Sequence, residues 1–351
     1  MRYRNDLLFS TVSEKNKNKS ITAVLSASQT DGMVLRDSLG IDIKFEEDSI
    51  KTYKVVRNGD YVIHLRSFQG GFAFSERIGV CSPAYTILRP NAALSYGFLR
   101  PYFMSDKFIN SLKLVTYGIR DGKSISVEEW LKLYTYVPEH MEQQKITSFL
   151  TLLDERIATQ NKIIEDLKKL KSAISKILFS ACGNSNNIKL LGEICSITTG
   201  RLDANAMSDD GIYPFFTCAR ENYKTNTYAF DGDSLLISGN GEIGIIKRYN
   251  GKFNAYQRTY VLQNFTENIE YLKYYIEYCL PKRVYKEKNV GAMPYIVLST
   301  LADMPIDLPS INMQNFICST LSCISNLIEI NSQINDSYQL QKASLLAQMF
   351  I

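Results

Sequence analysis

The 351-residue chain is 45% apolar, enough for two or three domains with real cores, so wholesale disorder is excluded. Its longest apolar runs are a few residues, which excludes a membrane-spanning helix, and MRYRNDLLFS at the start lacks the apolar stretch of a secretory signal. A net charge of +4, with 19 basic against 14 acidic groups in residues 1–138, is too weak a field to argue for a nucleic-acid partner by itself.

In chain order, short β-rich runs are predicted at Tyr53–Val56, Tyr61–Leu65 and Ala84–Leu88, with a helical stretch near Ser95–Lys113. A long helix is then predicted just after Pro138, a position where helices start. Steps of four and three place Ile146, Leu150, Leu153, Ile157, Ile164, Leu167, Ile174 and Leu178 on one face, a heptad seam interrupted by Gln160 and Lys171. A flanking track runs through Ile163, Leu170 and Ile177. The second half repeats the plan. Strands are predicted at Ser234–Ser238, Ile243–Arg248 and Thr259–Gln263, separated by the turns Asp231-Gly232 and Asn250-Gly251, and a helix near Glu270–Tyr278. A last helix begins after Pro309, with Ile317, Leu321, Ile324, Ile328, Tyr338 and Leu345 on its seam.

The two long segments are copies. Pro138–Ser180 and Pro309–Ile351 align without a gap at an offset of 171, and nine of 43 positions are identical: Pro138/Pro309, Gln143/Gln314, Ile146/Ile317, Ser148/Ser319, Leu150/Leu321, Ile157/Ile328, Ile163/Ile334, Lys171/Lys342 and Phe179/Phe350. Upstream, Gly59-Asp60 echoes Gly232-Asp233. The layout is domain, helix, domain, helix, with bounds 1–138, 139–182, 187–309 and 310–351. The expected fold class is α+β: two mixed α/β domains separated by two long antiparallel helices that form an intrachain coiled coil. A homodimeric coiled coil is the competing arrangement, but the in-chain duplicate supplies a ready partner. The second helix holds only three charged residues, Glu329, Asp336 and Lys342, so more than one of its faces is expected to be covered.

Catalysis finds no foothold. His64 and His140 are the two histidines; the first reads as a packed side chain in a β run, the second as exposed at a helix start. Seven scattered cysteines without a C-x-x-C fit neither a zinc ribbon nor a disulfide framework and point to a reducing cytoplasm. There is no P-loop, no N/D-P-P-Y/F and no PD-(D/E)xK pattern. Gly239–Gly244 spells G-x-G-x-x-G, but the residues after it read as a hairpin strand rather than the helix that a dinucleotide site needs. No catalytic, cofactor or metal residue is therefore expected. Binding residues are sought in the corresponding loops of the two halves. In the first, Arg66, Ser67, Gln69 and Gly70 combine an arginine and a glutamine, the side chains that pair bidentately with guanine and adenine, with a flexible Gly-Gly. In the second, Ser238, Asn240, Lys247 and Arg258 surround the glycine loop. Arg120 and Lys123, and likewise Lys288, sit in basic, glycine-containing loops suited to phosphate. Plain surface turns are the competing reading for each.

The E-Q-Q-K-I…L-D-E-x-I…L-K-x-L-K…I-L-F pattern of 142–179, its C-terminal copy, and the blocks G-D-Y-V-I-x-L-R-S-F-Q-G-G and V-C-S-P-A-Y-T-I-L-R-P resemble the specificity subunits of type I restriction–modification systems. The resemblance implies a non-catalytic subunit with two target-recognition domains, reading a bipartite, asymmetric site on double-stranded DNA in the cytoplasm. It implies two methyltransferase subunits and restriction subunits as partners. S-adenosylmethionine, ATP and Mg²⁺ would belong to those partners, and no membrane is involved. The second domain opens with the family's Leu190-Leu191-Gly192-Glu193-Ile194; the first has no matching block, which leaves its N-terminal completeness open. The alternative function is a non-catalytic helical-spacer scaffold for a non-DNA ligand or a protein partner.

Overall fold

A computed structural model describes residues 1–17, 19–28, 30–39, 47–118, 123–182, 187–221, 223–287 and 295–349. The chain divides into two compact units, Met1–Thr159 with Asn335–Ile351, and Gln160–Ile334. Each unit holds one mixed domain and half of each long helix.

The first unit is built on a four-stranded antiparallel sheet, in the order Phe9–Val12, Thr86–Pro90, Tyr61–Ile63, Ala73–Phe74. One face buries an aromatic cluster that includes Phe9, Tyr61, Phe72, Phe103, Phe108 and Trp130. Ring centroids 5 to 6 Å apart, several edge to face, give these pairs an attraction beyond their burial. Two short helices flank the cluster. Asp106–Ser111 is capped by the Ser105 hydroxyl, which accepts the Phe108 N–H, and Val127–Lys132 by Ser126, which accepts that of Glu129.

The second unit repeats the sheet as Ser196–Thr199, Thr259–Gln263, Asp233–Ser238, Ile246–Asn250. A helix, Ile269–Glu287, begins at Asn268, whose Oδ1 accepts the N–H groups of Glu270 and Tyr271. It runs past the expected end at Tyr278 and through Pro281. Tyr271, Leu272, Ile276 and Leu280 are buried along it, and that packing outweighs the helix-breaking tendency of proline.

The duplication reaches the backbone. In the first unit Arg2–Arg4 pairs with Tyr134–Tyr136; in the second Ile188–Leu190 pairs with Pro305–Asp307. Asn5 N donates to Leu133 O as Leu191 N donates to Met304 O, and Val137 N bonds Met1 O as Leu308 N bonds Asn187 O. The opening block that the first domain lacks in sequence therefore has its structural counterpart in Arg2–Leu8. Asn5 does the anchoring there: its Nδ2 donates to Trp130 O at 3.0 Å, and its Oδ1 accepts the Thr135 hydroxyl at 2.6 Å.

The long helices are His140–Cys182 and Ile311–Met349. At 1.5 Å per residue the first is about 64 Å long. Within each unit they run antiparallel. In the first unit Lys342 bonds Asp154, while Ile146, Leu346 and Met349 pack on the aromatic cluster. In the second, Gln160 Nε2 donates to Asn331 O at 3.0 Å and to its Oδ1 at 2.6 Å, while Ile174 and Leu178 pack with Ile317 and Leu321 in the domain core. Leu150, Leu153, Ile164 and Ile324 are buried, and Ile157, Leu167, Ile328, Tyr338 and Leu345 half-buried. Each end of the seam thus packs into a domain core. The flanking Ile163, Leu170 and Ile177 are exposed. The repeated Gln143 and Gln314 have a shared task. Each folds back to donate to the repeated proline, at Pro138 O (2.9 Å) and Pro309 O (3.0 Å), and so hooks the helix start onto the preceding strand.

Candidate nucleic-acid interface

In both units the candidate loops lie at one end of the four-stranded sheet. In the first, Tyr61–Ile63 is wholly buried and delivers the chain into a helical turn, Ser67–Gly70. The expected flexible Gly-Gly is in fact fixed. Gly71 has φ +75°, and a Cβ there would stand 1.9 Å from Phe103 O. Ser67 is buried, and its hydroxyl accepts the His64 N–H at 2.7 Å, so it braces the turn from inside. Burial lowers the pKa of His64, whose Nδ1 accepts the Arg66 N–H at 3.3 Å. That bond requires the unprotonated nitrogen. Arg66 and Gln69 point to solvent, and Gly70 is half-buried. The turn packs beside Ser124–Ile125, one strand of a small hairpin with Thr116–Tyr117. This brings exposed Lys123 and Tyr117 toward the same surface as Arg66 and Gln69. Arg120 lies outside the described residues.

In the second unit the glycine loop 239–245 joins Asp233–Ser238 to Ile246–Asn250, so a strand follows it. Ser238 is buried, and its backbone closes the loop through bonds to Ile245 O and from Gly244 N, each 3.0 Å. Asn240 is half-buried at the loop's edge. Lys247 has turned inward. Its Nζ donates to the carbonyls of Arg220 (2.7 Å) and Ala219 (3.1 Å), and burial lowers its pKa. It fastens the loop at 219–221 to the sheet. Arg220 is held by Glu242 at 2.6 Å. Arg258 is exposed, while Lys288 lies outside the described residues.

Two residues not singled out from the sequence join Arg258. Arg201 and Gln257 are exposed on the adjoining segments that leave Ser196–Thr199 and enter Thr259–Gln263. Gln257 N donates to Leu202 O at 3.0 Å, and Gly200 N to Thr259 O at 3.1 Å. Nothing in their sequence neighbourhood marks them; only the strand pairing places them together.

Among the described residues, no three His, Cys, Asp or Glu side chains form a group that could hold a metal ion. The seven cysteines are free thiols. No described helix is long and apolar enough to cross a membrane.

Residues 185–338 match the family model of the type I restriction modification DNA specificity domain. Over 139 residues the chain is 40% identical to the type I restriction enzyme EcoDI specificity subunit of Escherichia coli, covering 40% of this chain and 31% of that protein. A putative type I specificity subunit of Mycoplasma pneumoniae is 29% identical over 150 residues, 40% of each chain. The chain therefore spans less than half the length of these relatives. Among solved structures it is similar to the type I restriction–modification S subunit from M. genitalium, with a TM-score of 0.65 and 15% identity, covering 100% of this chain and 96% of that one. A second, from a study of complex assembly and conformational transition of the type I R-M system, gives a TM-score of 0.55 at 17% identity, covering 100% and 97%. At such identities the likeness is one of fold.

Proposed function

We propose, from a chain that belongs with the type I restriction–modification specificity subunits through residues 185–338, that its two domains read the two halves of a bipartite, asymmetric DNA target. The observation that carries this reading is the repeated sheet with its end loops. Two copies of one topology are each joined to the paired helices by the same proline–glutamine hook, yet they present different side chains. Identical scaffolds with different loops suit a reader of two unlike half-sites.

In this reading the chain does no chemistry. Adenine methylation and cleavage, with S-adenosylmethionine, ATP and Mg²⁺, belong to two methyltransferase subunits and to restriction subunits in the cytoplasm. The apolar side chains left exposed along the helices, among them Leu152, Leu170, Ile177, Phe316 and Ile330, supply a surface for the methyltransferase subunits. The helices set the spacing between half-sites.

The test is methylome sequencing of a methylation-free host that expresses the chain with its methyltransferase partner. The expected result is methylation within one bipartite motif that depends on this chain. Methylation without a motif, or the same motif without this chain, overturns the proposal and leaves the helical scaffold for a protein partner.

A further inference from the structure

We infer that Arg201, Gln257 and Arg258 are the base-reading side chains of the second unit. This rests on the DNA-reading role proposed above and identifies the residues that carry it in one half-site.

The first argument is elimination by partner. Several other polar side chains at this end of the sheet already have a protein partner or are buried. Lys247 is tied to carbonyls, Arg220 to Glu242, and Ser238 is buried. Farther along the same hairpin, Arg248 makes a two-pronged bond to Asp233 and a third bond to Glu270. Arg201, Gln257 and Arg258 are exposed, and among the described residues their side chains have no hydrogen-bond or ion-pair partner. Their donors and acceptors are free for a ligand.

The second argument is rigidity. Long side chains read bases well only when their backbone is fixed beforehand. Leu202 and Tyr256 are bridged, so Arg201 lies just before one end of the bridge, and Gln257 and Arg258 just after the other. A Cβ on Gly200 would stand 2.0 Å from Ala255 O, and one on Gly239 2.6 Å from Arg258 O. Both glycines let neighbouring backbone close directly onto the segment 255–258. Gly239 N donates to Arg258 O at 2.9 Å, and the Cys218 thiol approaches the same carbonyl at 3.3 Å. The three side chains therefore leave a backbone fastened from both sides.

The third argument is chemistry. An arginine fork matches O6 and N7 of guanine, and a glutamine amide matches N6 and N7 of adenine, both in the major groove. The half-site read by this unit is accordingly one containing guanine and adenine. In the first unit the corresponding pair, Arg66 and Gln69, stands on the hairpin turn; here the hairpin turn is a glycine loop, and the pair has moved to the neighbouring strand ends.

The experiment binds the full chain, in complex with its methyltransferase partners, to a randomised duplex library and sequences the bound fraction. Arg201→Ala, Gln257→Ala and Arg258→Ala are each expected to lower base preference about 5- to 150-fold at one position of one half-site, with the other half-site unchanged. Arg201→Lys keeps the charge but not the fork and is expected to remain relaxed. Lys252→Ala, at the opposite end of the hairpin next to Gly251, is expected to change no preference. If wild type selects a bipartite motif and the three alanine variants keep it, or lose affinity equally for all sequences, the assignment is overturned while the DNA-reading role stands. If wild type itself selects no motif, the role falls, and the assignment with it.

Discussion

Replacing Asp60 by alanine tests the bracing beneath the first unit's reading turn. Asp60 is 2% exposed in the Gly59-Asp60 turn that leads into Tyr61–Ile63. Arg89 grips it with two bonds of 2.9 Å, and Oδ2 also accepts the Arg57 N–H at 2.8 Å. The substitution strands three donor groups, two of them on one guanidinium. Breaking a buried pair from one side costs about 3–5 kcal/mol. The Arg89 side chain keeps 28% of its surface, so water recovers part of its charge and the lower figure, about 3 kcal/mol, applies. For a unit of this size that lowers Tm by about 6–12 °C. The assay is urea unfolding followed by fluorescence of the chain's single tryptophan. Trp130 is 1% exposed in the same unit's core, so the signal reports that unit alone. The echoing residue supplies the contrast. Asp233 pairs with Arg248 at about one-third exposure on both sides, so Asp233→Ala is expected to cost about 1 kcal/mol or less and to leave the tryptophan transition in place. A loss below about 1 kcal/mol in Asp60→Ala, or an unmoved tryptophan transition, refutes the reasoning.

Gln143→Ala frees the buried Ser95 N–H and the carbonyls of Ala93 and Pro138; it is expected to cost about 2–3 kcal/mol in the same tryptophan assay. Gly200→Ala forces a methyl against Ala255 O and is expected to destabilise the second unit by at least about 2 kcal/mol by calorimetry, whereas Arg201→Ala next to it stays within about 0.5 kcal/mol of wild type. The hydrogen bond from Arg248 holds the Asp233 carboxyl below its ordinary range. Its contribution is therefore present above the unfolded carboxylate range, near pH 4, and is lost as pH falls through the lower folded value. Urea melts of the second unit at stepped acid pH are expected to show that loss in wild type and not in Asp233→Asn. Inserting one heptad into each long helix, after Thr159 and after Leu327, is expected to change the spacing between methylated half-sites; an unchanged motif in the methylome contradicts the helices as the spacer.

The long helices were legible because their signal is local: a seam repeated over forty residues survives single polar interruptions, and the copy at offset 171 confirms it. Gln160 looked like a flaw in that seam and is instead the bond to Asn331. The central strands were legible for the same reason, with Thr259–Gln263 matching to the residue. Arg2–Leu8 was not, because its role is set by backbone pairing with Tyr134–Tyr136, which asks little of residue type. The loop residues divide by burial, which residue type does not disclose. Ser67 and Lys247 spend their side chains on backbone groups and Ser238 is buried, whereas Arg66, Gln69 and Arg258 are exposed and, among the described residues, have no side-chain partner. Arg201 and Gln257 became visible only when the strand ends were paired.

The second unit is one uninterrupted stretch, Gln160–Ile334, whereas the first needs Asn335–Ile351 to complete it. Leu346 and Met349, which pack on the aromatic cluster beside Ile146, are translated only after all of the second unit. The segment made before Gln160 must consequently wait through the whole of the second unit, its tryptophan-centred interior missing a wall until the residues after Ile334 follow. A nascent chain stalled before residue 335 holds everything needed for the later-made half and lacks a piece of the earlier-made one.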